Sequence, residues 1–409
     1  MKNIEAQIIM VSSELYPYYS TGGLGIAVYR LLNQLVLLNI RVIVLIPKDI
    51  EAPRFLYNKL VYIHKLPVSF CKAEESKQER DKFLKQFFLA VLNYVKAYQG
   101  LKPLIILHDN ETALCVEILK VAKIKYPILY WMHSLYDYPK ISNISIMAKA
   151  IQLADWVVVS SGVFKDALEL QWPRRLNDIQ KMLLQKKANN QILLLNALGC
   201  IEQPSGNEIN MKTNVNVKTD LLFSGRATYT KGIGFIKELS SVLKKKGVTI
   251  RITGNPLPEL ANIENIKWLG WLDFDSLYNE RKNSLFTVSL GITEGFGLNC
   301  AESLIQNCEV ISFPIGGIND LINFKNLETI SLSIHERELF YEFWAELIDS
   351  LDKSPLIWEK HKHKFDIIQE KLYDLIIKVS SLNKKENLPY KIQDIKSWGK
   401  EVSSLLCQN

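Results

Sequence analysis

The sequence lacks the features that mark several classes of protein. Its 6 cysteines are scattered and none lies in a CxxC pair, so neither a zinc site nor a disulfide framework is indicated. Its longest apolar runs, such as Val42–Ile46 and Phe87–Leu92, fall far short of the roughly 20 residues that a membrane-spanning helix needs. Residues Met1–Glu5 contain no basic segment followed by an apolar one, the form of a secretory signal. We therefore expect a cytoplasmic protein.

The excess of positive charge is also small. The chain has 50 Lys and Arg residues against 43 Asp and Glu residues, a formal net charge of +7 over 409 residues. This charge is too diffuse for a nucleic-acid partner, which requires a clustered basic face, but it suits an anionic small-molecule ligand or a weakly acidic membrane surface. Apolar residues make up 48% of the chain, enough for a sizeable core, and about 150 residues per domain predicts two to three domains.

The sequence does contain an alternation of short apolar strands and amphipathic helices, which predicts parallel α/β sheets. A first series of strands is predicted at Ile8–Ser12, Arg41–Ile46, Leu104–Leu107, Ile128–Met132, Trp156–Val159 and Ile192–Leu195. A second series is predicted at Leu221–Ser224, Thr249–Thr253, Ile266–Leu269, Phe286–Leu290 and Val310–Phe313. From Ser354 onward the pattern indicates helices and no new strand. We predict two Rossmann-like domains at 1–206 and 219–375, a polar linker at 207–218, and a helical segment at 376–409.

Ligands of open α/β sheets bind at the carboxyl ends of the strands, so the segments that directly follow strands are the candidate sites. Gly22 and Gly23 follow the first strand and precede a helix, although the spacing is not that of a GxGxxG fingerprint. Adjacent glycines at a helix start allow backbone N–H groups to approach an anion closely. A tight turn without a ligand explains the same residues.

Two cations follow the first strand of the second series. Arg226 and Lys231 lie in a strand–loop–helix segment, where a planar guanidinium and an ammonium would suit a diphosphate. Ordinary surface charges are the alternative interpretation of these two residues.

Two glutamates flank a predicted helix start at Gly297 and Leu298. Glu294 precedes the helix, while Glu302 lies one turn inside it at the margin of the apolar face. A half-buried carboxylate needs hydrogen-bond donors, and sugar hydroxyls would supply them. A solvated helix glutamate is the alternative.

Polar residues also follow two strands of the first domain. His108 and Asp109 follow one strand and His133 follows the next, although a lone histidine is more often packed or solvated than functional. Asp273-Phe274-Asp275 imitates a metal-binding DxD motif, but it precedes a predicted helix start, so we interpret Asp273 as a helix cap. No metal site is predicted.

In this order the segments resemble the GT-B retaining glycosyltransferases, and at the start of the chain they resemble glycogen and starch synthases. The segments that carry the resemblance to the first domain are 20–25 (STGGLG, similar to KTGGLGD), 108–114 (HDNETAL, similar to HDWHT), His133-Ser134, 154–160 (ADWVVVS) and 196–199 (NALG). Those of the second domain are Gly225-Arg226 with Lys231-Gly232 (similar to GRLxxxKG), 294–302 (E-x7-E), 316–320 (GGxxD) and 397–400 (SWGK).

The resemblance implies two Rossmann-like domains that face each other across a cleft, with C-terminal helices crossing back to the N-terminal domain. It implies a nucleotide-sugar donor, ADP- or UDP-glucose, held by the second domain and a glycan acceptor that enters from the first. The reaction would retain the anomeric configuration and need no metal or other cofactor. The expected product is a glycan extended by one hexose.

The same resemblance assigns roles to the candidate residues. Arg226 and Lys231 would neutralise the diphosphate, Glu294 would hold the transferred sugar and Glu302 the ribose hydroxyls. The other implied donor-side residues are His133 over the sugar and Gly22, Gly23, Gly297 and Leu298 near the phosphates. His108 and Asp109 are expected on the acceptor side.

Departures from the synthase pattern keep other interpretations open. Ser20 replaces the family lysine, and Ile26 replaces the family aspartate. One alternative is therefore a transferase that acts on a lipid-linked or other oligosaccharide. Another is a weakened homologue that only binds a glycan or a nucleotide. A third alternative is peripheral membrane binding, because lysines at 82, 85 and 96 flank the apolar residues Phe83, Phe87 and Val91. Ordinary core packing of these apolar residues is the preferred interpretation.

Overall fold

A computed structural model describes residues 5–16, 23–49, 59–69, 77–133, 144–196, 198, 201, 220–292, 294–347, 350–381 and 398–406. The chain divides into unit 1, formed by Met1–Cys200 and Asp394–Asn409, and unit 2, formed by Ile201–Gln393. The predicted linker at 207–218 lies outside the described residues, and so do Ser20, Gly22 and Ser134.

Unit 1 contains a parallel sheet with strand order β3-β2-β1-β4-β5-β6-β7. Its described strands are β1 (Ile8–Val11), β2 (Val42–Pro47), β3 (Val61–Leu66), β4 (Leu104–His108), β5 (Ile128–Trp131), β6 (Trp156–Val159) and β7 (Ile192–Leu194). Its helices before residue 200 are α1 (Gly23–Leu37), α2 (Lys77–Ala97), α3 (Ala113–Val121), α4 (Ile144–Leu153), α5 (Ser161–Glu169) and α6 (Asn177–Ala188). The order reverses between β1 and β4, the position at which ligands bind to doubly wound sheets.

Unit 2 repeats this architecture with strand order β10-β9-β8-β11-β12-β13, again parallel. Its described strands are β8 (Asp220–Phe223), β9 (Thr249–Thr253), β10 (Ile266–Gly270), β11 (Phe286–Ser289), β12 (Val310–Ser312) and β13 (Leu327–Thr329). Its described helices are α7 (Ile233–Lys245), α8 (Phe274–Asn283), α9 (Leu298–Ile305), α10 (Ile334–Leu347), α11 (Ser354–His361) and α12 (Asp366–Ser381). Here the order reverses between β8 and β11.

Every strand predicted from the sequence is confirmed, with each end displaced by at most one residue. The prediction succeeded because β1, β2, β4 and β5 are buried along their whole length, and strands covered on both faces appear as continuous apolar runs. The residues after Ser354 that the structure describes, 355–381 and 398–406, are helical as predicted. The two strands that were not predicted, β3 and β13, are the edge strands of their sheets on one side.

A further helix, α13 (Trp398–Leu406), packs in unit 1 although it follows unit 2 along the chain. The indole Nε1 of Trp398 donates a hydrogen bond to the carbonyl oxygen of Asn196 at 2.9 Å, and its ring lies 4.8 Å from that of Trp131. The backbone N–H of Gly399 donates to Oε1 of Gln34 in α1 at 2.8 Å. A methyl group at Gly399 would lie 2.7 Å from Cβ of Gln34, so glycine permits the close approach of α13 to α1.

The apolar face of α2 belongs to the core of unit 1. Phe83, Phe87 and Val91 are buried, and the rings of the two phenylalanines stack with their centroids 5.5 Å apart. The face proposed from the sequence as a membrane contact is therefore occupied by core packing. Among the described residues, no helix is both long and apolar enough to cross a membrane.

Candidate active site

The loop after β8 lies where the strand order of unit 2 reverses. The backbone N–H of Gly225 donates to Oγ1 of Thr253 at 2.8 Å, and this hydroxyl donates to the carbonyl oxygen of Gly225 at 3.1 Å. Arg226 follows, half-buried, and Tyr229–Lys231 forms a 3-10 turn that ends at Gly232 with φ 83°. Thr253, at the end of β9, thus fixes the start of the loop that carries both predicted cations.

Lys231 contacts the predicted sugar-binding carboxylate. Its ammonium lies 3.1 Å from Oε1 and 3.3 Å from Oε2 of Glu294, and the exposed fractions of the two side chains are 29% and 13%. Glu294 lies in the loop after β11, and a methyl group at Gly291 would be 2.1 Å from its Oε1. The carboxylate therefore folds back over the end of β11 toward the β8 loop.

The loop after β12 holds Glu294 from the other side. The N–H of Gly317 donates to the carbonyl oxygen of Glu294 at 2.7 Å. Gly316 has φ 58°, and a Cβ there would lie 1.9 Å from the same oxygen. The loops after β8, β11 and β12 therefore converge on Glu294, and the two glycines are needed because backbone passes directly against backbone.

Helix α9 begins beside this cluster. Gly297 is its N-cap residue with φ 64°, and because glycine has no side chain it forms no side-chain cap bond. The N–H groups of the first turn have no partner within a helix, and with the positive end of the helix dipole they can bind an anion. Leu298 opens the helix and is buried, as the apolar pattern of the helix requires.

Glu302 is held by an arginine that the sequence pattern did not indicate. Nη2 of Arg281, in the last turn of α8, lies 3.2 Å from Oε2 of Glu302 and 2.6 Å from Oδ1 of Asn299. Asn299 also accepts a hydrogen bond from Oγ of Ser224 at 2.6 Å and donates from Nδ2 to the carbonyl oxygen of Ser224 at 3.1 Å. The sequence suggested sugar hydroxyls as the donors to this half-buried carboxylate, but a buried guanidinium supplies one of them.

In unit 1 the two candidate histidines contact each other. Nδ1 of His108, at the end of β4, and Nε2 of His133, after β5, are 2.7 Å apart. The ring of Trp131 is almost parallel to that of His133, with an interplanar angle of 3° and centroids 5.4 Å apart. Asp109 has φ 62° and donates its N–H to the carbonyl oxygen of Trp131 at 2.8 Å, which ties the end of β4 to β5.

Burial determines the charge of this histidine pair. Desolvation lowers the pKa of His108 to about 3, because an imidazolium loses its hydration in the interior. Desolvation, followed by repulsion from His108, also lowers the pKa of His133 well below its usual value. At neutral pH both rings are therefore neutral, and one of the two facing nitrogens donates the proton that the other accepts.

The remaining predicted positions are less informative. Gly23 opens α1 and is exposed, whereas Gly22 lies outside the described residues. Oδ1 of Asp273 accepts the N–H of Ser276 at 2.7 Å at the start of α8, which confirms the predicted cap. In the described ranges, no three His, Cys, Asp or Glu side chains come together as metal ligands.

Comparison with protein families gives one match in each unit. Residues 7–178 match the starch synthase catalytic domain, and residues 218–347 match the glycosyl transferases group 1 family. None of the curated proteins is similar enough in sequence to be matched.

Solved structures with the same fold cover nearly the whole chain. The catalytic domain of starch synthase IV from Arabidopsis thaliana, bound to ADP and acarbose, aligns with a TM-score of 0.63 and 15% identity over 99% of each chain. Sucrose-phosphate synthase from Thermosynechococcus elongatus aligns with a TM-score of 0.60 and 14% identity over 98% of this chain and 99% of that one.

A third structure, of an E. coli trehalose-6-phosphate protein bound with UDP-2-fluoro glucose, aligns with a TM-score of 0.57 and 11% identity, covering 98% of this chain and 99% of the other. At these identities the likeness establishes the fold. The chain has the GT-B fold, and its two units contain regions that match the starch synthase catalytic domain and the glycosyl transferases group 1 family, which support a glycosyltransferase.

Proposed function

We propose that this protein transfers a hexose, glucose, from a nucleoside-diphosphate sugar to a glycan acceptor, with retention of the anomeric configuration and without a metal ion. The observation that carries the proposal is the contact between Lys231 and Glu294 at the carboxyl ends of β8 and β11. It brings a cation and a carboxylate to the edge where ligands bind to such sheets. One can bind a phosphate while the other accepts hydrogen bonds from a sugar.

The diphosphate would be neutralised by protein groups. Lys231 and Arg226 belong to one short loop, and the N-terminus of α9 adds backbone N–H groups next to Glu294. Negative charge develops on the β-phosphate as its bond to the sugar breaks, and preorganised donors stabilise this charge without reorganisation. This arrangement supplies the stabilisation that a divalent ion gives in other sugar transferases.

The two carboxylates would bind different parts of the donor. Glu294 would accept hydrogen bonds from hydroxyls of the transferred sugar, since its carboxylate is oriented by Lys231 and its backbone by Gly317. Glu302 would accept hydrogen bonds from the ribose hydroxyls. Solved structures of the same fold that contain ADP or a UDP-sugar analogue support a nucleotide donor, ADP- or UDP-glucose.

Unit 1 would supply groups on the acceptor and sugar side. His133 is held neutral against His108, so its ring would hydrogen-bond to a sugar hydroxyl without adding a charge. His108 and Asp109 would face the acceptor, and Gly22 and Gly23 would border the donor phosphate. The cytoplasm, indicated by the scattered cysteines, is the proposed compartment.

The anomeric configuration would be retained because the acceptor hydroxyl attacks the anomeric carbon from the same face that the phosphate leaves. The acceptor hydroxyl oxygen bonds to the anomeric carbon, the bond from that carbon to the β-phosphate oxygen breaks, and the hydroxyl proton passes to the departing phosphate. The products are the extended glycan and a nucleoside diphosphate. No protein nucleophile is needed in this scheme.

A screen of ADP, UDP and GDP sugars by thermal shift tests the proposal. A ligand at ~100 times its dissociation constant should stabilise the protein by about 2.7 kcal/mol. The nucleotide that binds is then used in a transfer assay with and without EDTA, in which we expect equal rates. No stabilisation by any of the three would contradict the nucleotide-sugar proposal, and a rate that is lost with EDTA and restored by Mg²⁺ would contradict metal independence.

A second candidate is favoured by the substitutions in the glycine loop. Ser20 stands where synthases have lysine, and Ile26, half-buried in α1, stands where they have aspartate. The loss of these two charges would result either in a different acceptor, such as a lipid-linked or other oligosaccharide, or in binding without transfer. Measurable transfer from any nucleotide sugar excludes the binding-only alternative, and a comparison of glycogen with short oligosaccharides identifies the acceptor.

A further inference from the structure

Arg281 is the most deeply buried arginine for which an ion pair is described. Its side chain is 2% exposed, although it comes from the last turn of α8, where a cation is ordinarily solvated. A guanidinium remains charged in proteins, so its burial requires compensation. The carboxylate of Glu302, 12% exposed, lies 3.2 Å from its Nη2 and supplies the opposite charge.

The same nitrogen also reaches a second residue of α9. Nη2 lies 2.6 Å from Oδ1 of Asn299, one turn before Glu302 on the same face of the helix. Asn299 is bonded in both directions to Ser224, the first residue of the loop that leads to Arg226. One buried cation, Arg281, therefore connects Glu302, the predicted ribose-binding carboxylate, with Ser224 at the start of the predicted diphosphate-binding loop.

We propose that Arg281 is a positioning residue that holds Glu302 for recognition of the ribose hydroxyls of a nucleoside diphosphate. The inference rests on the proposed function, because it takes Glu302 as the ribose-binding group. Nη2 binds one carboxylate oxygen, Oε2, and so restricts where the carboxylate can lie. Through Asn299 and Ser224 the same nitrogen links the position of the carboxylate to the diphosphate loop.

Arginine suits this position because Nη2 lies at the far end of a long side chain and carries two N–H groups in the fixed guanidinium plane, one for each acceptor. A guanidinium presents its N–H groups in a fixed plane, whereas a lysine ammonium is a shorter-reaching point charge on a flexible stem. Lysine would keep a cation near Glu302 and lose the simultaneous contact with Asn299. A merely structural ion pair would stabilise unit 2 but would not affect which nucleotides bind.

Arg251 provides a matched control within the same unit. It lies in β9, its side chain is 13% exposed, and it pairs with Glu280, the neighbour of Arg281 in α8. The described contacts of Arg251 include neither Asn299 nor Glu302. R251M therefore removes a comparable buried cation and loosens the same helix, while leaving the carboxylate of Glu302 in place.

The test measures nucleotide binding by calorimetry in the full chain. Whichever of ADP, UDP and GDP binds the unmutated protein is compared with its 2′,3′-dideoxy form in R281M, R281K and R251M. We expect R281M to weaken the ribonucleotide by roughly tenfold and the dideoxynucleotide by less than about threefold, because only the ribonucleotide donates to Glu302. R281K keeps the buried charge and replaces R281M in the test if R281M does not fold. We expect R281K to lose part of the preference for the ribonucleotide over the dideoxynucleotide. R251M should leave the ratio unchanged.

Each outcome decides between specific statements. Equal weakening of both nucleotides by R281M and R281K, or a change like that of R251M, would assign Arg281 a purely structural role and overturn the inference while the proposed function stands. If the wild-type protein binds the ribonucleotide and the dideoxynucleotide equally, Glu302 does not bind the ribose hydroxyls, and the inference is overturned. Failure of the wild type to bind any of the three nucleotides would overturn the proposed function itself.

Discussion

Replacement of Lys231 by methionine separates the catalytic contribution of this side chain from its structural one. The chain length is nearly preserved, so the aliphatic stem still packs beside the end of β11 while the charge is lost. Methionine leaves the proposed β-phosphate with one cation, Arg226, and removes the group that orients Glu294. We expect a large loss of activity with little loss of stability.

Both magnitudes follow from the geometry. Loss of one preorganised group that stabilises transition-state charge costs about 2.7 to 4 kcal/mol, which corresponds to a decrease in kcat of roughly 100- to 1,000-fold. The ion pair with Glu294 is partly screened, because the Lys231 side chain is 29% exposed. Such pairs contribute about 1 kcal/mol or less to the free energy of unfolding. Initial rates at saturating donor, together with urea unfolding, measure both quantities.

Lys237 is a close control for this substitution. It lies in α7 of the same unit, its side chain is 28% exposed, and it contacts Glu359 at 2.9 Å. K237M should reproduce the small change in unfolding free energy and leave kcat unaffected. If K231M were to retain kcat within about threefold of K237M, the stabilisation of the leaving diphosphate by Lys231 would be refuted.

Three further predictions concern the frame around the site. G316A should lower the unfolding free energy by more than G247A does. Both glycines have positive φ, at which a side chain costs about 1 to 2 kcal/mol. Only at Gly316 would the new methyl group also lie 1.9 Å from a backbone oxygen. Equal urea midpoints would contradict this contact. The unfolding free energy of the wild type should fall with decreasing pH between the ordinary histidine value of 6.5 and about 3, because the unfolded chain binds a proton that buried His108 does not. H108Q should make this dependence less steep, because the unfolded chain then gains one proton fewer while buried His133 still contributes, whereas H363Q, at an exposed histidine, should retain it. W398A should lower the unfolding free energy by about 3 to 5 kcal/mol because a fully buried indole is lost. W398F should lower it by less, because a ring still fills the site. Similar values for the two variants would assign the effect to the hydrogen bond of the indole alone.

The sequence predicts every interior strand of the two sheets but only two of their four edge strands, β7 and β10. Interior strands of a parallel sheet are covered on both faces, so their side chains are uniformly apolar. In β3 the residues between Val61 and Leu66 are partly or fully exposed and include His64 and Lys65. The three residues of β13 include Glu328. Neither segment is a continuous apolar run, and pairing with the adjacent strand makes each one a strand.

The candidate site divides in the same way. Lys231 and Glu294 could be found because each follows a strand, and the sheet order brings the two strand ends together. Arg281 carries no such local signal: a basic residue in the last turn of a helix ordinarily complements the helix dipole in solvent. Its contacts with Asn299 and Glu302 depend on how α8 and α9 pack, which side-chain periodicity does not specify.

The return of α13 to unit 1 has a consequence for the order of events during synthesis. The groove that receives Trp398 is built from residues made early, including Gln34, Trp131 and Asn196, yet the helix that fills it is synthesised only after the whole of unit 2. Unit 2, continuous from Ile201 to Gln393, can close its core while unit 1 still exposes this groove. The N-terminal part of unit 1 therefore exposes apolar surface while unit 2 is being synthesised, a period in which a chaperone that binds such surface would protect it.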